Sequence, residues 1–300
     1  IPAGEGRRGS PPVPASVPVP AGPAYRPGDA RILAFGLAQL LAGLVLEALM
    51  ALPATTLYLA VLAIGLEESP ALALAGLLVL VPIEVVISAL WFAALRRAVL
   101  PAGRPGTHRL YGATHLRKWC SDLVVARARQ ALYTVQTTLY LPVWLRLMGA
   151  RIGARSELST IRNISPELIE VGEESFFADD VGLGGRRVFG GLLGLTVGNG
   201  AHIPPGAELG DECLVGVLSA APVHVERAPD RTDWLGSPAF QLMNRERVRI
   251  FDEALTYRPT RRLYLERSLI DGLRVVLPTT WAIAVGQLEI GAILGAHDLA

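Results

Sequence analysis

Charge is scarce in this chain. Asp, Glu, Lys and Arg supply 18% of its 300 residues, and 28 basic side chains nearly cancel 27 acidic ones to leave a net charge of +1. That balance excludes the broad electrostatic attraction on which nucleic-acid binding rests. Aromatic residues, at 6%, do not interleave with basic ones as a base-stacking platform requires, so no nucleic-acid partner is expected. Cysteine is nearly absent: Cys120 and Cys213 stand alone, which rules out a disulfide framework. Neither a CxxC pair nor a His/Cys cluster with zinc spacing occurs, so no metal site is expected either. The apolar stretch of a secretory signal is missing from residues 1–28, which are rich in Pro, Gly and Ala and read as an extended, semi-stiff linker. The chain opens without an initiator Met and stops inside an apolar run, as an excerpt of a longer protein would.

What is abundant is apolar surface, at 51% of residues, concentrated in residues 32–66, 71–95 and 275–300. Residues 32–66 hold one charge, Glu47, and one proline, Pro53. At about 1.5 Å per residue such a helix exceeds a hydrocarbon core of roughly 30 Å, so it reads as a long kinked membrane helix. The turn Glu67-Glu68-Ser69-Pro70 sends the chain back through residues 71–95 to Arg96 and Arg97, and basic residues continue at Arg104, Arg109, Arg117 and Lys118. The positive-inside rule then predicts a multi-pass protein of the cytoplasmic membrane, with the linker and all that follows Arg96 on the cytoplasmic side. Residues 111–148 show helical spacing with scattered Arg127, Arg129 and Arg146, and residues 275–294 are a third spanning candidate.

Residues 197–220 repeat every six positions, as Val-Gly-Asn-Gly-Ala-His, Ile-Pro-Pro-Gly-Ala-Glu, Leu-Gly-Asp-Glu-Cys-Leu and Val-Gly-Val-Leu-Ser-Ala. Val197, Ile203, Leu209 and Val215 lead the hexads, and the small residues Ala201, Ala207, Cys213 and Ser219 follow four places later. Ile152, Leu158 and Ile164 share the register, as do Val171, Phe177 and Leu183 after a one-residue slip. A 3.6-residue period would scatter these positions around a helix. The spacing suits short strands and tight corners that coil so that each leading side chain enters one core. Gly153, Gly172, Gly198, Gly210 and Gly216 follow leading positions, where a residue without a Cβ turns freely. A sandwich with evenly spaced strands is the remaining alternative. The resulting plan is a linker at 1–30, a transmembrane hairpin at 31–100, amphipathic helices at 101–149, a parallel β-helix at 150–225 interrupted at 184–196, a tail at 226–260, and the start of another membrane segment at 261–300. In fold class this is membrane α-helices plus an all-β domain, a single-stranded parallel β-helix flanked by transmembrane helices.

Leu145-Arg-Leu-Met-Gly-Ala-Arg-Ile-Gly, leading into hexads, resembles the start of the left-handed β-helix of hexapeptide acyltransferases, which implies that the single-stranded parallel β-helix expected at 150–225 is left-handed. Phe177-Ala-Asp-Asp-Val, the hexads from Val197, Gly216-Val-Leu-Ser-Ala, Trp234-Leu-Gly-Ser-Pro-Ala-Phe and Phe251-Asp-Glu-Ala-Leu-Thr-Tyr-Arg-Pro-Thr-Arg-Arg together resemble the membrane-embedded C-terminal region of poly-lysine-synthetase-type nonribosomal peptide synthetases. The resemblance covers essentially everything from Arg31. It implies upstream adenylation and carrier domains as partners, an amino-acid substrate presented as a thioester on a phosphopantetheine arm, no directly bound cofactor, and amide-bond formation as the reaction. Two alternatives stay open: a non-catalytic membrane scaffold that docks the carrier domain, and a membrane-linked acyltransferase using coenzyme A. Hexapeptide acyltransferases are commonly trimers, and a homo-oligomer is left open here.

Such acyltransferases use a His as general base, a role its near-neutral pKa suits. The interrupting segment 184–196 holds Arg186 and Arg187 but no His. His202 and His224 are the histidines in or beside the repeat, and His202 precedes a leading position, which turns it outward. His202 is therefore the candidate base, against the plain reading of a solvent-facing histidine. Asp179 and Asp180 are candidates to orient an amine nucleophile, or are solvated turn acids. Asn199 is placed to bond a pantetheine amide or to serve as a corner residue. Arg186 and Arg187 are candidates for its phosphate. Glu47, Glu84 and Glu289 lie within apolar spans, where ionisable groups are functional candidates by default. A passing cationic product would suit them, and protonated carboxyls bonded within the bundle compete as the explanation.

Overall fold

The computed structural model describes residues 7–8, 13–14, 27–67, 70–101, 110–183, 188–189, 196–197, 200–204, 207–222, 225–243 and 258–297. The chain forms two compact units. One gathers Ile1–Leu37, Ala102–His115 and Gly149–Thr260; the other gathers Ala38–Pro101, Leu116–Met148 and Arg261–Ala300.

In the first unit, β1 (Arg7–Arg8) pairs antiparallel with β2 (Val13–Pro14) in the linker. From residue 151 the chain builds three parallel ladders and visits them in rotation. The first holds β3 (Arg151–Ile152), β6 (Ile169–Val171) and β9 (Val188–Phe189). The second holds β4 (Glu157–Leu158), β7 (Phe176–Phe177), β10 (Thr196–Val197), β12 (Leu214–Val215) and β13 (Asp233–Leu235). The third holds β5 (Ile161–Arg162), β8 (Val181–Leu183) and β11 (His202–Ile203). Strand β14 (Phe240–Leu242) closes the second ladder by folding back antiparallel on β13.

The leading residues stack in register, and Ile152, Leu158, Val171, Phe177, Leu183, Ile203, Leu209 and Val215 point inward. Ile152 lies beside Val171, Leu158 beside Phe177, Phe177 beside Val197, and Leu183 beside Ile203. Ile203, Leu209, Val215 and Phe177 are all buried, as the hexad spacing predicts. Three details differ from the sequence reading. Residues 184–196, read as a loop leaving the repeat, contain β9, which continues the first ladder without a hexad. The ladders run on past residue 225 through a bridge at Ala228 and through β13, because Trp234 takes the inward place of an aliphatic residue and bonds Thr232 Oγ1 at 2.8 Å. The glycines after leading positions are also needed for a different reason.

The left-handed corner residues among the described ones include Arg155, Glu174, Asp180, Glu212, Leu218 and Arg231, with φ between 51° and 61°, whereas Gly153 and Gly210 do not have positive φ. A Cβ on Gly153 would meet the backbone carbon of Gly172 at 2.5 Å, so close stacking of rungs, not free turning, demands glycine there. Each non-Gly corner costs roughly 1 kcal/mol, and ion pairs between successive corners offset part of it. Arg155 reaches Glu174 at 2.8 Å and Glu173 at 3.1 Å, and Arg231 reaches Glu212 at 3.4 Å. Asp230 accepts the Asp211 amide at 2.9 Å and Arg227 at 2.9 Å.

The second unit is helical. It contains most of α1 (Asp29–Glu67), with α2 (Pro70–Val99), most of α3 (Ala113–Ala131), α4 (Tyr140–Leu147) and α5 (Arg261–His297). The helices α1, α2 and α5 are long and apolar enough to cross a membrane. Leu59, Leu72, Leu78, Val86, Leu277, Trp281 and many like them are exposed, an apolar surface far beyond what water tolerates, so this is a membrane-associated chain. Leu57, Val61, Ala73, Leu77 and Val81 form the core of the helix packing, joined by Val276 and Ile283 from α5.

Prolines 53, 82 and 278 interrupt the three helices. Pro53 has no N–H for the carbonyl of Leu49, and the indole N–H of Trp91 donates to that carbonyl at 2.8 Å instead. Helices α3 and α4 bury Val124, Val125, Ala128, Leu141, Trp144 and Leu145. They meet the ends of the long helices by polar contacts: Trp144 Nε1 to the Ala89 carbonyl at 3.2 Å, Tyr140 hydroxyl to the Ser268 carbonyl at 2.6 Å, and the Leu139 amide to buried Asp271 at 2.9 Å.

Two measurements check this account. Phe177→Ala empties a fully buried inward position and is expected to lower stability by about 3–5 kcal/mol in chemical denaturation. The amide of Asp211 first, and then Arg227, hold the exposed Asp230 carboxyl below its usual range. A depressed carboxyl contributes fully above the ordinary carboxylate range, and the contribution is lost as the pH falls through the folded value. Asp230→Asn should therefore differ from the wild type by a constant amount above about pH 5, with the gap closing in more acidic circular-dichroism titrations.

Candidate functional site

The third ladder places His202 on its outer face. Ile203 points inward and is fully buried, so the alternation of a strand turns His202 out to solvent. Its amide donates to the Ser219 carbonyl at 2.8 Å and its carbonyl accepts from the Ala221 amide at 2.9 Å, which fixes the backbone on one side. On the other side His202 lies in register with Gly182, and Gly182 with Arg162. A Cβ on Gly182 would stand 2.8 Å from Nδ1 of His202, so the imidazole occupies the space that this glycine leaves empty. The ring makes no hydrogen bond to a described residue.

Asp179 and Asp180 sit at the corner before β8, and both are exposed. Asp179 accepts hydrogen bonds from the hydroxyls of Ser159 and, at 3.4 Å, Thr160. Asp180, in the left-handed region at φ 61°, pairs with Arg162 at 2.6 Å, and its amide donates to Thr160 Oγ1 at 2.6 Å. The two acids are thus tied to their own corner. Arg162 links them to the His202 column, two strands away and so roughly 10 Å along the ladder. The sequence reading missed Arg162, although it stands 20 residues before Gly182, which stands 20 before His202, a spacing visible once the rung length was known. Asn199, Arg186, Arg187 and His224 lie outside the described residues.

The helical unit separates the three acids of the apolar spans. Glu47 pairs with Arg127 of α3 at 2.7 Å, on a helix that also carries the Lys118–Asp122 pair. Glu84 accepts a hydrogen bond from Ser88 at 2.5 Å and lines a cavity. Glu289 is exposed on α5. Among the described residues no group of His, Cys, Asp and Glu could hold a metal ion. Burial pushes the Cys120 thiol up, away from nucleophilic use.

No family model matches the chain. Its sequence is similar to one stretch of a poly-amino-acid synthetase. That protein is the delta-poly-L-ornithine synthetase of Acinetobacter baumannii strain AB307-0294, 38% identical over 213 aligned positions, the match covering 68% of this chain and 16% of that protein. The chain thus spans only 16% of the length of the curated relative it matches. Among solved structures, a soybean serine acetyltransferase complexed with serine aligns at 19% identity over 72% of this chain and 100% of that one, with a TM-score of 0.20. A serine acetyltransferase in complex with cysteine aligns at 18% identity over 71% and 99%, with a TM-score of 0.22. Alignments this loose carry no argument about the chemistry.

The packing of His202 on Gly182 is open to test. Gly182→Ala should displace the imidazole while costing only about 1–2 kcal/mol, since the obstructed atoms end a side chain that can swing away. A shifted His202 resonance in the NMR spectrum of a folded variant is the expected result.

Proposed function

We propose that this chain is a membrane module of a nonribosomal peptide synthetase that takes part in joining amino acids through amide bonds. The observation that carries the reading is the 38% identity over 213 residues with delta-poly-L-ornithine synthetase. In this reading the three ladders close into a left-handed parallel β-helix on the cytoplasmic side of the membrane, held there by multi-pass helices. Arg97, Arg117, Lys118 and Arg146 supply the positive charge that marks that side.

The acyl donor is an aminoacyl thioester on the phosphopantetheine arm of an upstream carrier domain, loaded by an adenylation domain. His202 takes a proton from the incoming ammonium. The freed amine attacks the thioester carbonyl, the C–N bond forms as the C–S bond breaks, the first proton returns to the departing thiolate, and the second leaves the new amide nitrogen for solvent. An imidazole suits both transfers because a ring nitrogen can accept a proton and give it back. Asp179 and Asp180 would hold the cationic amine, and Asn199, Arg186 and Arg187 the pantetheine arm and its phosphate.

The ties of Asp179 to Ser159 and Thr160, and of Asp180 to Arg162, favour a second reading: a non-catalytic scaffold on which the carrier domain docks. The two are distinguished in the full synthetase with its adenylation and carrier domains intact. Amide formation is expected to fall by about 100-fold or more in His202→Ala, while carrier loading stays unchanged. Product measured by mass spectrometry at wild-type level in His202→Ala, Asp179→Asn and Asp180→Asn alike would leave the scaffold standing. Saturable binding of coenzyme A to this chain would instead support an acyl-CoA-dependent transferase.

A further inference from the structure

The helical unit contains an open-sided cavity of about 400 Å³ between α1 and α2, within the size range of small-ligand sites, with Leu52, Ile83 and Ile87 exposed along its rim. It forms where Pro53 breaks the hydrogen bonding of α1, and Trp91 both caps the freed Leu49 carbonyl and walls the space. Leu52, Pro53, Leu80 and Ile83 make it apolar, and Glu84 is its one ionisable lining residue. The hydroxyl of Thr56, also in the wall, is taken by the Leu52 carbonyl at 2.8 Å.

Glu84 differs from its neighbours in its partner. Glu47 has Arg127, Asp122 has Lys118, Glu266 has Arg262 and Asp271 has Arg267, whereas Glu84 has the neutral hydroxyl of Ser88 on one oxygen. No basic side chain among the described residues pairs with it. A charged carboxyl among hydrocarbon walls is expensive, and either a bound proton or a cation relieves it; only the cation also uses the apolar space beside it. A lipid tail in this cavity would leave Glu84 without one, and a bare metal cation would leave the apolar walls without contact.

We propose that this cavity binds an alkylammonium ion, its hydrocarbon part against the α1 and α2 walls and its ammonium on Glu84. The site uses no residue of the amide-forming reading, so either can fail without the other.

The test is isothermal titration of the whole chain in lipid nanodiscs with n-butylammonium and, separately, n-butanol, the heats of empty nanodiscs being subtracted. Butylammonium should bind about tenfold more tightly than butanol, a ratio worth about 1.4 kcal/mol, and Glu84→Gln should bring the ratio close to one. Ala60→Phe, which fills the cavity and keeps Glu84, should abolish binding of both probes. Equal binding of the two probes by the wild type would overturn the proposal. So would a ratio that survives Glu84→Gln, or binding that survives Ala60→Phe.

Discussion

A strand of two residues satisfies none of its backbone groups by itself, so every rung of the ladder unit depends on the rungs on either side of it. That dependence organises the rest. It demands that inward residues stack in register, and Leu158 with Phe177, Ile152 with Val171 and Leu183 with Ile203 do. It demands corners tight enough to return the chain to the next ladder, and these hold Glu174, Asp180 and Glu212 in a left-handed conformation that costs each of them energy. It also brings backbones so close that Gly153 has no room for a Cβ. The outer face is then a grid whose rows are fixed by hydrogen bonds, and His202 is held on that grid between Gly182 and Ala220.

The helical unit solves the opposite problem. Its backbone groups bond along each helix except where proline removes a donor, and at Pro53 the indole of Trp91 substitutes by donating to the Leu49 carbonyl. Polar contacts gather where α3 and α4 meet the long helices, through Glu47–Arg127, Leu139–Asp271 and Arg97 to the Arg146 carbonyl at 3.3 Å. The cluster around Val61 and Leu77 is purely apolar. Glu84 lies on the stretch of α2 between Val81 and Val85, which belong to that apolar packing, and this sets its chemistry apart from that of Glu47.

Periodic features were legible because each is repeated. The hexads from Val197 announced their inward column six residues at a time, and the lengths of the apolar runs announced three spans. Single features were not. Val188–Phe189 joins a ladder with no hexad around it, since pairing needs only an extended backbone beside Ile169–Glu170. Trp234 extends the stack although it breaks the aliphatic pattern, because its indole N–H finds Thr232. The alignment of Arg162 with His202 depends on rung length, which varies between 18 and 20 residues and so cannot be read from a fixed period.

The sequence by itself determined which side chains face inward on the ladders and which stretches are too apolar for water, since burial follows hydrophobicity and alternation, both written residue by residue. Only the tertiary structure decided the partners. It gave Glu47 an arginine and Glu84 a hydroxyl, and it set His202 above the gap left by Gly182. Those outcomes depend on distances between residues far apart in the chain, and the packing of the whole unit sets them.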